Sequence, residues 1–331
     1  MRRLIMLAAF AIAAPFVHAG PVSGAAEGRQ LYWVDPSPLI GGIWAGTADG
    51  SSPARKLYST GKNPDGLAID KAAKRIYFTN MTLLDSNSGN VQRGDLVNGK
   101  VANVIDLVPD GSGLKTPKQL VLDEVHRKVY FAEREGRRIY RVPMDGMKRP
   151  QDLEVLVDFT SRPDSENQFV GVQVDAARGE FYWSDRLTNT IWRARMDLWA
   201  TVTPANAPYL ATKVLSYSPT LGMICDLALD EKNRYMYWSD RGEGHELIGE
   251  TLPAGSISRI ALDVPNAPIE VLAGGLLKDP VGIALDVDSG KLFFGNTEDG
   301  KIFSLPINGG TPVQLHKSTL SAGLIFVNWA K

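Results

Sequence analysis

Two glutamines and an aspartate stand out in this chain because they interrupt a pattern that the chain sets for itself. Five apolar runs end in aspartate: Gly66-Leu67-Ala68-Ile69-Asp70, Gln119-Leu120-Val121-Leu122-Asp123, Gly171-Val172-Gln173-Val174-Asp175, Asp226-Leu227-Ala228-Leu229-Asp230 and Gly282-Ile283-Ala284-Leu285-Asp286. A sixth run, Gly323-Leu324-Ile325-Phe326-Val327, stands near the C-terminal end. Four of these runs begin with glycine, but two begin with Gln119 and Asp226, and only one carries a polar third residue, Gln173. Asp226 can act as an acid, a base or a charge partner, and the two amides can orient a polar substrate through hydrogen bonds. Asp65 and Lys118 directly precede two of the runs and would stand at the rim of the same site, with Phe169 and Cys225 as further ligand contacts. An unpartnered buried polar group costs about 1–3 kcal/mol. Ordered water would satisfy these groups in a purely structural role, and a bound molecule would satisfy them in a functional one.

The elements that position these residues follow from a second repeat. Each internal run leads through a short polar turn into an aromatic strand ending in a carboxylate or amide. The copies are Tyr32-Trp33-Val34-Asp35, Tyr77-Phe78-Thr79-Asn80, Tyr130-Phe131-Ala132-Glu133, Tyr182-Trp183-Ser184-Asp185, Tyr237-Trp238-Ser239-Asp240 and Phe293-Phe294-Gly295-Asn296, spaced 45 to 56 residues apart. Aromatic and β-branched residues favour strands, and a mostly-strand repeat of this length is the mark of a β-propeller with one blade per repeat. Third strands are clearest at Arg137–Val142, Thr190–Ala194 and Lys301–Leu305, and an outer strand at Leu153–Val157. The fold class expected is all-β, a six-bladed propeller with four antiparallel strands per blade. The first aromatic strand lacks a run before it and the last run lacks an aromatic strand after it, so the C-terminal strand should complete blade one and close the ring.

Residues 1–19 read as a signal peptide: Met1-Arg2-Arg3 is basic, Leu4 to Val17 is apolar, and Val17-His18-Ala19 offers a cleavage site. The remainder, 20–331, reads as a single propeller domain, exported to the cell exterior, to the secretory lumen, or to the periplasm in a bacterium. With 36 basic and 37 acidic residues the net charge is −1, which supplies no field for recruiting nucleic acid or a membrane surface. The single cysteine, Cys225, rules out an internal disulfide. No His/Glu/Asp spacing points to a metal, no glycine loop points to a phosphate-bearing cofactor, and no Gly-x-Ser-x-Gly elbow is present, so neither metal nor cofactor is expected. His245, in a Gly/Glu-rich loop after the fifth aromatic motif, is a ligand-binding or acid/base candidate, and Asn80-Met81-Thr82 is a glycosylation sequon placed in a surface loop.

On the six aromatic motifs, the five internal runs and Pro64-Asp65-Gly66-Leu67-Ala68-Ile69-Asp70, the chain from Arg29 to Lys331 resembles the YWTD family of six-bladed propellers, best known from the LDL receptor. The resemblance implies that Asp35, Asp185 and Asp240 tie strands together through hydrogen bonds and are structural, whereas Asn80, Glu133 and Asn296 depart from the family's aspartate. Receptor propellers stand among disulfide-rich modules that this chain lacks. As a stand-alone, signal-bearing propeller it is also similar to secreted fungal proteins that promote hetero-Diels–Alder cyclisations in polyketide–terpenoid biosynthesis. That likeness implies a cofactor-independent cyclase in which Gln119, Gln173 and Asp226 orient a polar enone while the channel wall holds an apolar, terpenoid-like partner. Lactonases and strictosidine synthase-like enzymes share the strand order. The competing class is a non-catalytic propeller that binds a protein or glycan on its channel face, where Trp192 and Trp199 are the aromatic candidates.

Overall fold

The computed structural model describes residues 28–330 other than 39, 83–86, 217–221 and 243–254. The leader and His245 lie outside the described residues. Blade one contains β1 (Arg29–Asp35), β2 (Gly42–Thr47) and β3 (Arg55–Tyr58). Blade two is β4 (Asn63–Asp70), β5 (Arg75–Met81), β6 (Asn90–Val97) and β7 (Lys100–Val108); blade three is β8 (Pro117–Asp123), β9 (Lys128–Glu133), β10 (Arg138–Pro143) and β11 (Glu154–Asp158). Blade four is β12 (Phe169–Asp175), β13 (Glu180–Asp185), β14 (Thr190–Arg195) and β15 (Ala211–Ser216). Blade five is β16 (Ile224–Asp230), β17 (Tyr235–Asp240), β18 (Gly255–Ala261) and β19 (Glu270–Leu277), and blade six is β20 (Pro280–Asp286), β21 (Lys291–Asn296), β22 (Lys301–Pro306) and β23 (Val313–Lys317). Each blade is a four-stranded antiparallel meander.

β24 (Leu324–Asn328) joins blade one as its innermost strand, giving the order β24-β1-β2-β3 with Leu324 opposite Trp33 and Phe326 opposite Leu31. The expected latch is therefore present. The motif aromatics fill the blade cores: Trp33, Tyr77, Phe131, Trp183, Trp238 and Phe293 are fully buried. The innermost strands approach closely around the axis, and glycine is what permits it. A Cβ on Gly66 would fall 2.4 Å from the Lys118 carbonyl oxygen, and one on Gly282 2.1 Å from that of Ala322. The two exceptions to this glycine rule, Gln119 and Asp226, stand where the geometry admits a side chain.

Two sets of bonds hold the blades in register. The motif hydroxyl bridges blades: Thr79 Oγ1 accepts from the Gly66 N–H (2.7 Å) and donates to the Lys118 carbonyl of blade three (2.8 Å). Ser184 Oγ does the same between Gly171 N–H (2.7 Å) and the Cys225 carbonyl (2.8 Å), and Ser239 Oγ between Asp226 N–H (3.1 Å) and the Val281 carbonyl (2.5 Å). The motif carboxylate acts within its blade, capping the segment that enters the innermost strand. Asp185 accepts from Gln168 N–H (3.0 Å), Asp240 from Met223 N–H (2.6 Å) and Asp35 from Thr319 N–H (3.0 Å). Glu133 fills the same role through Thr116 N–H (2.9 Å) and Lys115 N–H (3.2 Å). Asn80 instead donates to Asn90 (2.8 Å) and Gln92 (3.0 Å) of its own sheet.

Candidate functional site

The polar side chains singled out by the repeat are engaged by neighbouring protein groups across the blade seams. Lys118 Nζ donates to Asp65 Oδ2 at 2.9 Å and Gln119 Nε2 to Asp65 Oδ1 at 3.0 Å, joining blades two and three. Asp226 accepts from its neighbour Leu227 N–H (2.8 Å) and, across the seam to blade six, from Ile283 N–H (3.2 Å). Gln173 donates to the Leu227 carbonyl at 2.7 Å, tying blade four to blade five. Asp65, Lys118, Gln119 and Asp226 are all buried. This throat is knitted by protein groups, which is a third outcome beside the water or ligand that the sequence left open.

Burial sets the protonation of the throat. Desolvation pushes the Asp226 carboxyl up to about 8, and its two N–H bonds, which favour the anion, do not overcome it. The same cost draws the Lys118 ammonium below its ordinary value, with Asp65 pulling in the other direction. The Cys225 thiol is buried and pushed up to about 12, so it is neither an exposed contact nor a ready nucleophile. Phe169 is fully buried, edge-on to Phe159 and Trp183, because it begins a strand whose side chain faces the blade core. Its place as a ligand contact is thereby corrected. Asn80 is buried in β5 with both bonds of its side chain donated by Nδ2, so the sequon does not occupy a surface loop. Trp192 stacks on Trp183 in the core, and Trp199 is exposed in the β14–β15 connection, on the face opposite the channel mouth.

The residues that the repeat comparison passed over stand immediately above this throat. In blades three, four and five the motif acid is followed by arginine: Glu133-Arg134, Asp185-Arg186 and Asp240-Arg241. Identical positions in successive blades place the three guanidinium groups on one arc of the mouth. Arg134 pairs with Glu135, and Arg241 pairs with Asp279, Nη2 lying 2.6 Å from Oδ2. Asp279 holds a φ of 60° directly before Pro280, a strained backbone of the kind that collects at functional sites. Arg186 differs from its neighbours. It is half-buried, its Nε donates to the neutral Gln168 Oε1 at 2.6 Å, and among the described residues no carboxylate forms an ion pair with it. Desolvation first, then the charges of Arg134 and Arg241, lower its pKa. Among the described residues no three His, Cys, Asp or Glu side chains are placed to hold a metal ion. The signal that would have found the arc was available in the sequence, as an Asp/Glu-Arg dipeptide repeated in three consecutive blades.

Fold and mouth together define a six-bladed β-propeller with a knitted throat and a cationic rim. No protein-family model matches the chain. It is 26% identical over 257 residues to the low-density lipoprotein receptor-related protein 1 of Pyricularia oryzae, covering 75% of this chain and 79% of the relative. It is 24% identical over 267 residues to the 3-hydroxyacyl-CoA dehydrogenase-like protein LAM1 of Cochliobolus heterostrophus, covering 76% of this chain and 53% of that relative, so it spans about half of the latter's length. Among solved structures it superposes on a chain of the nidogen/laminin complex with a TM-score of 0.67 at 18% identity, covering 90% and 98% of the two chains. The periplasmic gluconolactonase of Pseudomonas aeruginosa gives 0.56 at 12% identity, covering 90% and 85%. In repeat motif and blade architecture, the chain is similar to the LDL receptor-like propellers of the YWTD type.

Proposed function

We propose that the protein is an exported propeller that binds a small organic molecule at the channel mouth, with an anionic or strongly polarised oxygen of that molecule seated on Arg186. One observation carries this reading: a half-buried guanidinium with two other cations nearby hydrogen-bonds a neutral side chain and forms no ion pair among the described residues, Glu135 acting on it only through space. The Nε is engaged by Gln168, which leaves the two Nη groups to meet a carboxylate or carbonyl oxygen, and guanidinium forks suit such oxygens. The finer reading is a cofactor-independent cyclisation of a carbonyl-bearing substrate. Such a reaction needs no nucleophile. A fixed donor aimed at the oxygen where negative charge develops, together with held orientation, supplies the acceleration. Arg186 takes the role that the sequence assigned to Gln119, Gln173 and Asp226, each of which is engaged by other protein groups in the throat. The likeness to a gluconolactonase supports small-molecule chemistry at the level of the fold alone. The basic-then-apolar leader supports export.

Thermal melts of the wild type with millimolar benzoate, cinnamate, succinate or citrate test the reading. At least one of these should raise Tm by about 2 °C or more through binding linkage, and Arg186→Met should erase that rise while keeping the unliganded Tm within a few degrees. No rise with any of the four, or an equal rise in the variant, would overturn it.

A further inference from the structure

On the face opposite the mouth, a cavity of about 720 Å³ opens between blades one and two, and the mouth reading has no use for it. Its apolar wall is Leu57, Leu96, Val97 and Trp329, set at the margin of a core cluster that includes Tyr32 and Leu57. The size is that of ordinary small-ligand sites. Val97 is 46% exposed. The polar part is one-sided: Arg55 and Lys74, both exposed, contribute cations, and no carboxylate is found among the described lining residues. Arg55 lies over the tight Asn98-Gly99 turn, donating from Nη1 to the Gly99 carbonyl at 2.5 Å, which anchors the guanidinium at the rim. Tyr32 Oη accepts from Trp329 Nε1–H at 3.0 Å. The phenol proton is thus free to be donated toward the cavity, and burial keeps it on the oxygen.

We infer that this cavity binds an amphipathic carboxylate, with an alkyl or aryl body on Leu57, Leu96, Val97 and Trp329 and the head group held by Arg55, Lys74 and the Tyr32 hydroxyl. Apolar walls with two cations and no described anion select that chemistry over neutral or cationic amphiphiles, because the cations attract an anionic head group and repel a cationic one. The position adds a consequence. The lining draws on β1, the segment after β24, β3 and the β6–β7 turn, so an occupant would tie the segment after the closing strand to blade two.

Calorimetric titration of the full chain with decanoate, decanol and decyltrimethylammonium, each below its micellar concentration, tests the inference. Decanoate should bind at least about tenfold more tightly than either of the others. Measured in the Arg186→Met background, which removes the carboxylate seat at the mouth, decanoate affinity should fall about tenfold or more on adding Arg55→Glu or Val97→Asp, both at exposed positions. Absence of decanoate binding, equal affinity for decanol, or full affinity in Arg55→Glu would overturn it.

Discussion

Lys118 and Asp65 show how much a single partner matters inside this throat. Both are buried, and removing one charge leaves the other stranded in a medium that solvates it poorly. Asp65→Ala should therefore destabilise the protein by about 3–5 kcal/mol in urea denaturation, whereas the pair Asp65→Asn with Lys118→Met should recover most of that loss. Asp226 makes a separate prediction in pH. Below about pH 4 its carboxyl is protonated in both folded and unfolded chains and has no effect on the balance. As pH rises the unfolded chain ionises first, while the folded carboxyl keeps its proton up to about 8, so its contribution to stability falls across that window. Urea midpoints should show this fall, on the order of a few kcal/mol, in the wild type but not in Asp226→Asn. That Gln119 and Asp226 are exceptional could be read from the repeat. Asp65 was placed at the same site, but its pairing with Gln119 and that of Asp226 with Ile283 were not legible, because only the closed ring brings residues of neighbouring blades within bonding distance.

The aromatic motif is the element on which the blades are built, and two of its positions divide the work. Its carboxylate caps the entry to the innermost strand, and its hydroxyl joins one blade to the next. Ser184→Ala leaves a buried N–H of Gly171 and a carbonyl of Cys225 without their partner, and should cost about 2 kcal/mol by chemical denaturation. Asp185→Ala releases the loop bearing Gln168, which in turn holds Arg186, so it should weaken carboxylate binding as well as stability. The strands and their order were legible because aromatic-aspartate copies and glycine-led runs alternate at blade spacing. Glu133 substituting for aspartate was not, since a longer side chain reaching the same N–H groups is a matter of geometry. Asn80 misled because β5 runs on to Met81, so a sequon that looks like loop chemistry lies within a sheet.

Closure is a property of the whole molecule, and its weak point is the seam where the chain's ends meet. β24 covers the inner edge of β1, and without it the Tyr32–Trp33 strand would be an open, apolar edge. Removal of residues 323–331 should replace the cooperative melting transition with a broad one and promote aggregation, as read by calorimetry and light scattering. The two ends of the sequence announced this pairing by lacking complementary strands. The mouth was harder to see, because function there rests on which of three similar arginines finds a carboxylate, and only the assembled ring decides that. The most direct test compares mouth with throat. For whichever carboxylate shifts the wild type, binding is titrated into Arg186→Met, Gln119→Ala and Gln173→Ala. The account predicts that binding is lost in the first and retained within a few-fold in the other two; retention in Arg186→Met with loss in the glutamine variants would contradict it.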